Sequence, residues 1–344
     1  MAEVAEDDVA GASAFAIVGA GSLGLALGAA LAASGHVVTV LGRSSSTAGL
    51  LGAGEVQIGG ALHLRVPVSA AAASPGYLCV TDDPAQLPAV TGTIFTTKGR
   101  QLEAAVQEVA KSGAGRVALS WFAGLQNGVL KDDVLAAAFG PERVLGAATV
   151  LNARRTEVAQ VTVGGLGMTY FGELGAPPTP RATAACEAFC QAGLPAVAVD
   201  DARSLLWSKF ANAVGIFAVT GLTRLATGEM WRRRPLVVAY RSLLDEVDAV
   251  ARAEGVRIGD YPELPMRTYL EATGEQLADL MAARTFDPGA PQSFSSMAQD
   301  IRAERTTEAE QIFADLARRG RRYGVPTPRV DLVNSLISGI DARP

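Results

Sequence analysis

Phe15-Ala-Ile-Val-Gly-Ala-Gly-Ser-Leu-Gly24 is the stretch that decides how this chain of 344 residues folds. Phe15 to Val18 is a short apolar run that reads as a buried strand, and the alanine- and leucine-rich segment from Leu25 to Ser34 reads as a helix. Between them lies a G-x-G-x-x-G turn. In that setting Gly19 permits the tight turn, Gly21 lets the backbone approach a pyrophosphate, and Gly24 lets the helix pack closely on the strand. The free N–H groups of the helix start then face the anion. Gly19, Ala20, Gly21, Ser22, Leu23 and Gly24 are therefore the expected nucleotide loop. The competing reading is a glycine turn of a doubly wound fold that binds nothing.

Outward from this turn, Gly35 to Leu41 reads as a second strand that ends at Gly42-Arg43-Ser44. An acidic residue there would hold the 2'-hydroxyl of NAD, whereas Arg43 with Ser44, Ser45 and Ser46 suits the 2'-phosphate of NADP. A surface arginine in a loop is the alternative. Gln57 to Val68 alternates as a hairpin does, and Gly76 to Thr81 continues the strands. Gly92 to Thr97 is a strand that delivers Lys98 to its C-terminal end, the edge where ligands of open parallel sheets collect. Gln101 to Lys111 reads as a helix and Arg116 to Phe122 as a strand, which the loop Gly124-Leu-Gln-Asn127-Gly128 follows. Residues 141–148 and 158–171 keep a β-rich pattern, and a helix at 181–192 and a strand at 197–199 complete this half.

Beyond Asp200 the pattern turns helical, with apolar-periodic segments at 205–220, 235–254 and 295–323, the last read as one long helix fed by a loop at Phe286–Gln292. The expected architecture is α/β, with an NADP-binding Rossmann domain over 13–200 and an all-helical domain for substrate and dimerisation over 201–344. Chain length points the same way.

Composition narrows the function. A hydrophobic share of 49% with 19% charge is that of a globular protein, and a net charge of -5 disfavours nucleic acid or an anionic membrane as partner. The run Trp231-Arg-Arg-Arg234 reads as a solvated helix end. Three cysteines and two histidines show no metal-ligand spacing, so no metal is expected, and Cys186 and Cys190 read as two small buried thiols. The acidic start lacks the character of a signal peptide, and no uninterrupted apolar run approaches about 18 residues. A cytoplasmic protein with no membrane partner is the expectation.

Two groups of polar residues stand out in the second half. Lys209 lies between Trp207 and Phe210, with Asn212 on the same helical face. It either snorkels to solvent or meets a polar ligand in a cleft, at a lowered pKa. Ser296, Asp300 and Glu308 are spaced by four and eight residues, which on one helix spreads them over about a third of its circumference. They could face a cleft while Ile301, Ile312 and Leu316 dock the helix. Alternatively, Ser296-Met-Ala-Gln299 is a capping box and the acids pair at the surface with Arg302, Arg305 and Arg318.

Taken together, Gly19 to Gly24, Thr97-Lys98-Gly-Arg-Gln101, Leu125-Gln-Asn127-Gly128, Trp207-Ser-Lys209, Ser295-Ser-Met-Ala-Gln-Asp300 and Arg305-Thr-Thr-Glu308 resemble the ketopantoate reductase family. The resemblance runs from Phe15 to about Val333. It implies a Rossmann domain followed by a helical domain of the 6-phosphogluconate dehydrogenase C-terminal type, with the active site in the cleft between them. It also implies reduction of 2-dehydropantoate to pantoate by NADPH, on the route to coenzyme A. By resemblance Lys209 is the general acid, Asn127 meets both cofactor and substrate, and Lys98 and Glu308 meet the cofactor. Ser296 then binds substrate, with Asp300 as a polar partner beside it.

The sequence also departs from the family. Ala213, Phe217 and Thr227 stand where substrate-holding asparagines are usual, with Asn212 one residue early. Fewer amides and an added ring make a more apolar pocket. Hence two alternatives accompany the leading one: a reductase of a less polar 2-oxo acid, ketone or imine, and a non-catalytic NADP(H)-binding regulator. A homodimer is also expected.

Overall fold

The computed structural model describes residues 13–71, 74–112, 121–284 and 292–342. The acidic start, most of the strand expected over Arg116–Phe122 and most of the loop expected over Phe286–Gln292 lie outside them.

The opening unit is β1 (Ala14–Val18), the glycine turn and α1 (Ser22–Ala33), followed by β2 (Val37–Leu41). A helix not read from the sequence comes next, α2 (Ser44–Ala53), whose serine-rich start reads as loop when taken alone. The hairpin is β3 (Glu55–Gly60) and β4 (Leu64–Ser69), and β5 (Leu78–Thr81) pairs parallel to β4. Then come β6 (Gly92–Phe95), α3 (Gly99–Ser112), β7 (Trp121–Gly124) and α4 (Leu130–Phe139). The remaining strands are β8 (Leu145–Thr149), β9 (Asn152–Glu157), β10 (Gln160–Gly165) and β11 (Thr169–Glu173). After α5 (Pro180–Gln191), β12 (Ala196–Ala198) completes a small sheet ordered β12-β11-β8.

The main sheet runs β7-β6-β1-β2-β5-β4-β3-β10-β9. Its first five strands are parallel, and their order reverses between β1 and β6. In such a sheet the crevice for a ligand opens at that switch point, beyond the carboxyl ends of the strands. The outer strands lie over α1, which is why that helix is apolar on every side: Gly24 to Ala32 are all buried.

The C-terminal domain is helical around α6 (Ala202–Thr223), with α7 (Thr227–Trp231) and α8 (Arg234–Ala253) following it. Helix α6 is long and apolar enough to cross a membrane, yet 78% of its apolar window is buried inside the fold, where it forms a central core element. Tyr240 of α8 packs so closely on Gly215 that a Cβ there would stand 2.4 Å from its ring. After the two-residue strands β13 (Asp260–Tyr261) and β14 (Leu264–Pro265) come α9 (Met266–Glu271) and α10 (Gly274–Ala282).

The long helix expected over 295–323 is broken. Helix α11 (Ser296–Arg302) stops, Glu304 adopts a left-handed φ of 55°, and helix resumes through a π-helical turn at Glu310–Ala314 into α12 (Asp315–Tyr323). The break is made by side chains that compete for the backbone. Arg305 donates from Nε to Asp300 at 2.9 Å and from its backbone N–H to the Asp300 carbonyl at 2.8 Å. The Thr307 hydroxyl then accepts from the Ala309 N–H at 3.2 Å and starts the next helix. A final helix, α13 (Pro328–Asp341), closes the chain. The expected pair of buried thiols is also corrected: Cys186 is buried, and Cys190, at the end of α5, is exposed.

Candidate active site

Three loops leave the carboxyl ends of β1, β6 and β7 side by side. In the first, Gly19 has φ 123°, and a Cβ there would lie 2.8 Å from the Thr97 backbone nitrogen. Gly24 meets the turn from behind, where a Cβ would stand 2.0 Å from the Gly19 carbonyl oxygen, so it packs under the turn and does not line the cleft. Gly21 differs, because no atom lies within 4 Å of its would-be Cβ. It opens on a cavity of about 630 Å³ whose wall also includes Ala20, Ser22, Leu23 and Arg43. Thr96 donates from Oγ1 to the Gly19 carbonyl at 2.9 Å and locks this turn to the second loop. An open glycine at a helix N-terminus fits a dinucleotide pyrophosphate.

The third loop is held by Gln126, which donates from Nε2 to the Thr97 carbonyl at 3.0 Å. Gly128 follows with φ 96°, where a Cβ would meet the Gln311 carbonyl oxygen at 3.1 Å. That close passage fixes Asn127 at the junction of the first cavity with a second of about 670 Å³, and both are lined by Asn127, Lys98 and Ser296.

Lys209 reaches the second cavity from α6 and donates from Nζ to Asn127 Oδ1 at 2.8 Å. Its pKa is lowered to about 8, chiefly by burial and then by the nearby Lys131 ammonium, with Glu308 opposing both. Of the two sequence readings for Lys209, the structure takes the cleft. Asn212 lines the same cavity, with its Oδ1 held by the Tyr240 hydroxyl at 3.0 Å. Ala213 and Phe217 stand on the same wall, together with Leu151 and Phe294.

The acids bind the two halves of the cleft together. Asp300, whose side chain is 4% exposed, takes Lys98 Nζ on Oδ2 at 2.9 Å and Arg305 on Oδ1 at 2.9 Å. Glu308 accepts from the Gly99 N–H at 2.7 Å and stands 4.0 Å from Lys98. The expectation that Ser296, Asp300 and Glu308 share one helix is therefore corrected, since Glu308 lies beyond the break and reaches the cleft from a separate segment. The expected capping box at Ser296–Gln299 does not form; the N-cap is Ser295, and Ala298 at the third helical position has no side chain to reciprocate. Ser295 accepts from the Ala298 N–H at 3.1 Å, and Ser296, the first helical residue, lines the cleft.

Two residues in this region were not singled out from the sequence. Arg155 of β9 reaches over to the glycine turn, and its only sequence signal is the doubled arginine at 154–155 of a strand. Lys131 is buried under the Asn127 loop, with Asp132 accepting from its Nζ at 2.8 Å and 2.7 Å. Burial pushes the Asp132 carboxyl above its usual range, against the pull of Lys131.

Comparison with known proteins adds the following. Residues 15–176 match the family model described as ketopantoate reductase PanE/ApbA, and residues 201–341 match its C-terminal counterpart. A 2-dehydropantoate 2-reductase of Archaeoglobus fulgidus is 26% identical over 326 residues, which covers 95% of this chain and 97% of that protein. One from Halobacterium salinarum is 26% identical and covers 93% of this chain and 96% of its own length. Among solved structures, a 2-dehydropantoate 2-reductase from Geobacter metallireducens superposes with a TM-score of 0.76 at 24% identity, over 95% of this chain and 99% of that one. A D-mandelate dehydrogenase, solved with NADH and anilino(oxo)acetate, superposes with a TM-score of 0.75 at 21% identity, over 95% and 98% of the two chains.

Proposed function

Because the chain belongs to the ketopantoate reductase family, we propose that it reduces the carbonyl of 2-dehydropantoate to pantoate, with NADPH as hydride donor and Lys209 as proton donor. The observation that carries this reading is the Lys209 ammonium tied to Asn127 at 2.8 Å, where the two cavities meet.

When bound, the nicotinamide supplies the hydride. As the carbonyl carbon is reduced, negative charge grows on its oxygen, and a partly desolvated ammonium stabilises that charge and gives up a proton. A lysine with a pKa near 8 does both at neutral pH. Asn127 holds the Lys209 amine at the junction, so the proton is aimed rather than free. Arg43 is the candidate for the 2'-phosphate, and Lys98, with Glu308 beside it, for the cofactor near the junction. Ser296 and Asn212 line the substrate side, and Asp300 holds Lys98 and Arg305 in place. The division into domains at residue 200 belongs to this reading, as do a cytoplasmic setting and a homodimer. The free cysteines fit a reducing compartment, and Leu332 and Leu336, 61% and 48% exposed on α13, offer a surface for a second copy. The mass in solution decides the dimer.

A second reading has its own support. Ala213 and Phe217 line the cleft with Leu151 and Phe294, which favours a less polar 2-oxo acid or related carbonyl or imine. Missing hydrogen-bond donors cost on the order of 1 kcal/mol each toward a polar substrate. Oxidation of NADPH by the purified protein, with 2-dehydropantoate beside a series of bulkier apolar 2-oxo acids, ketones and cyclic imines, separates the two. Saturable turnover of 2-dehydropantoate supports the first reading. Turnover of apolar substrates alone reassigns the pocket, and no turnover of any of them removes both.

A further inference from the structure

Arg155 has no role in the reading above, and its surroundings give it one. Strand β9 carries it to the glycine turn, where its guanidinium donates from Nη1 to the Ala20 carbonyl at 3.1 Å and from Nε to the Glu157 carbonyl at 3.2 Å. Nη2 donates to the Val158 carbonyl, and Val158 itself packs on Gly49 of α2. Three of the five N–H groups of the guanidinium are thus committed to carbonyl oxygens, which leaves two for another acceptor.

The second cation nearby is Arg43, which stands on the wall of the same cavity and whose charge depresses the Arg155 pKa, after burial. Neither guanidinium forms an ion pair with a carboxylate among the described residues. Arg43 is also the N-cap of α2 and makes no side-chain cap; its carbonyl accepts from the Ser46 and Thr47 N–H groups, which leaves those of Ser44 and Ser45 without an intrahelical partner. Two cations held near each other without a carboxylate raise each other's energy, and a dianion between them removes that cost.

We propose that Arg155 is a second ligand of the 2'-phosphate of NADPH, acting with Arg43 and coupling recognition of that phosphate to the shape of the glycine turn. The inference rests on the dinucleotide reading above. It adds that the phosphate is gripped from two sides, by the start of α2 and by the β9–β10 hairpin. Because Arg155 is already pinned by three carbonyls, it loses little side-chain freedom on binding, unlike the exposed Arg43.

Calorimetric titration of wild-type protein and of Arg43→Ala, Arg155→Ala and Arg155→Lys with NADPH, NADH, adenosine 2',5'-bisphosphate and AMP tests this. For Arg155→Ala we expect NADPH and the bisphosphate to weaken tenfold or more, with NADH and AMP changing by less than threefold. Arg155→Lys should recover part of the preference. Equal weakening of NADPH and NADH would overturn the proposal, since Arg155 would then act only as a brace for the turn. Unchanged affinity would overturn it as well. If Arg155→Ala does not fold, Arg155→Lys decides: an NADPH-to-NADH preference equal to wild type counts against phosphate contact, and a reduced one supports it. Wild-type protein that binds no dinucleotide would remove the functional reading itself, an outcome distinct from symmetric losses in the variants.

Discussion

A lysine set between Trp207 and Phe210 gives up hydration that an exposed lysine keeps, and with it part of its preference for the charged form. The sign follows directly. Below about pH 8 the Lys209 amine carries its proton, and above that value it is neutral. Reduction needs the protonated form, so kcat/KM for reduction should be level below pH 8 and fall tenfold per pH unit above it. Oxidation of the alcohol needs the neutral amine and should rise through the same range. Lys209→Met should lower kcat by about 10² to 10⁴ and remove the alkaline limb from the pH profile. A variant that keeps the wild-type limb would show that another group gives the proton. From sequence alone the lysine is ambiguous, because Trp207 and Phe210 suit a snorkelling side chain as well. The Asn127 amide that settles its direction is 82 residues away.

At the scale of elements, two features of the helical domain bear on the cleft. The break between α11 and α12 lets Asp300 and Glu308 approach the β6 loop from two directions, which a continuous helix would not allow. Its local signals, Thr306-Thr307 as a helix start and a left-handed residue at Glu304, are weak against a strong apolar period, so the sequence reads through it. The second feature is the contact of α6 with α8 at Gly215. A methyl there would collide with the Tyr240 ring, and the same tyrosine holds Asn212 by its hydroxyl. Gly215→Ala should therefore lose about 1–3 kcal/mol in urea unfolding. It should also weaken substrate binding through Asn212. An unchanged unfolding midpoint would mean that the two helices shift apart at little cost.

Across the whole molecule, the Rossmann and helical halves are joined at the site itself. The Lys98–Asp300 pair, the Gly99–Glu308 bond and the donation from Arg100 to the Thr306 carbonyl at 2.9 Å all cross the cleft. Farther from the junction, Arg319 of α12 pairs with Asp133 of α4. Asp300 is the buried member of the first group, and neutralising it would leave Arg305 without its carboxylate partner and Lys98 with Glu308 alone, 4.0 Å away. Asp300→Asn should cost about 1–3 kcal/mol of stability, because its partners retain some access to solvent. It should also weaken dinucleotide binding, since Lys98 is no longer held. Thermal unfolding and dinucleotide titration check both, and a variant unchanged in both would show that the cross-cleft pair holds nothing in place.

The sequence by itself determined the α/β and helical halves, the strand-turn-helix start and the family, because these rest on local periods, glycine spacing and short motifs. It also made Lys98, Asn127, Lys209, Ser296 and Glu308 nameable as candidates. Tertiary structure alone decided that these side chains line two joined cavities, that Asp300 serves as a buried counter-ion, and that Arg155 meets Ala20 from 135 residues away. The physical reason is range. Backbone preference and hydrophobic period act over a turn or two of chain, whereas a buried charge takes its partner from whatever segment the fold brings within about 3 Å of it.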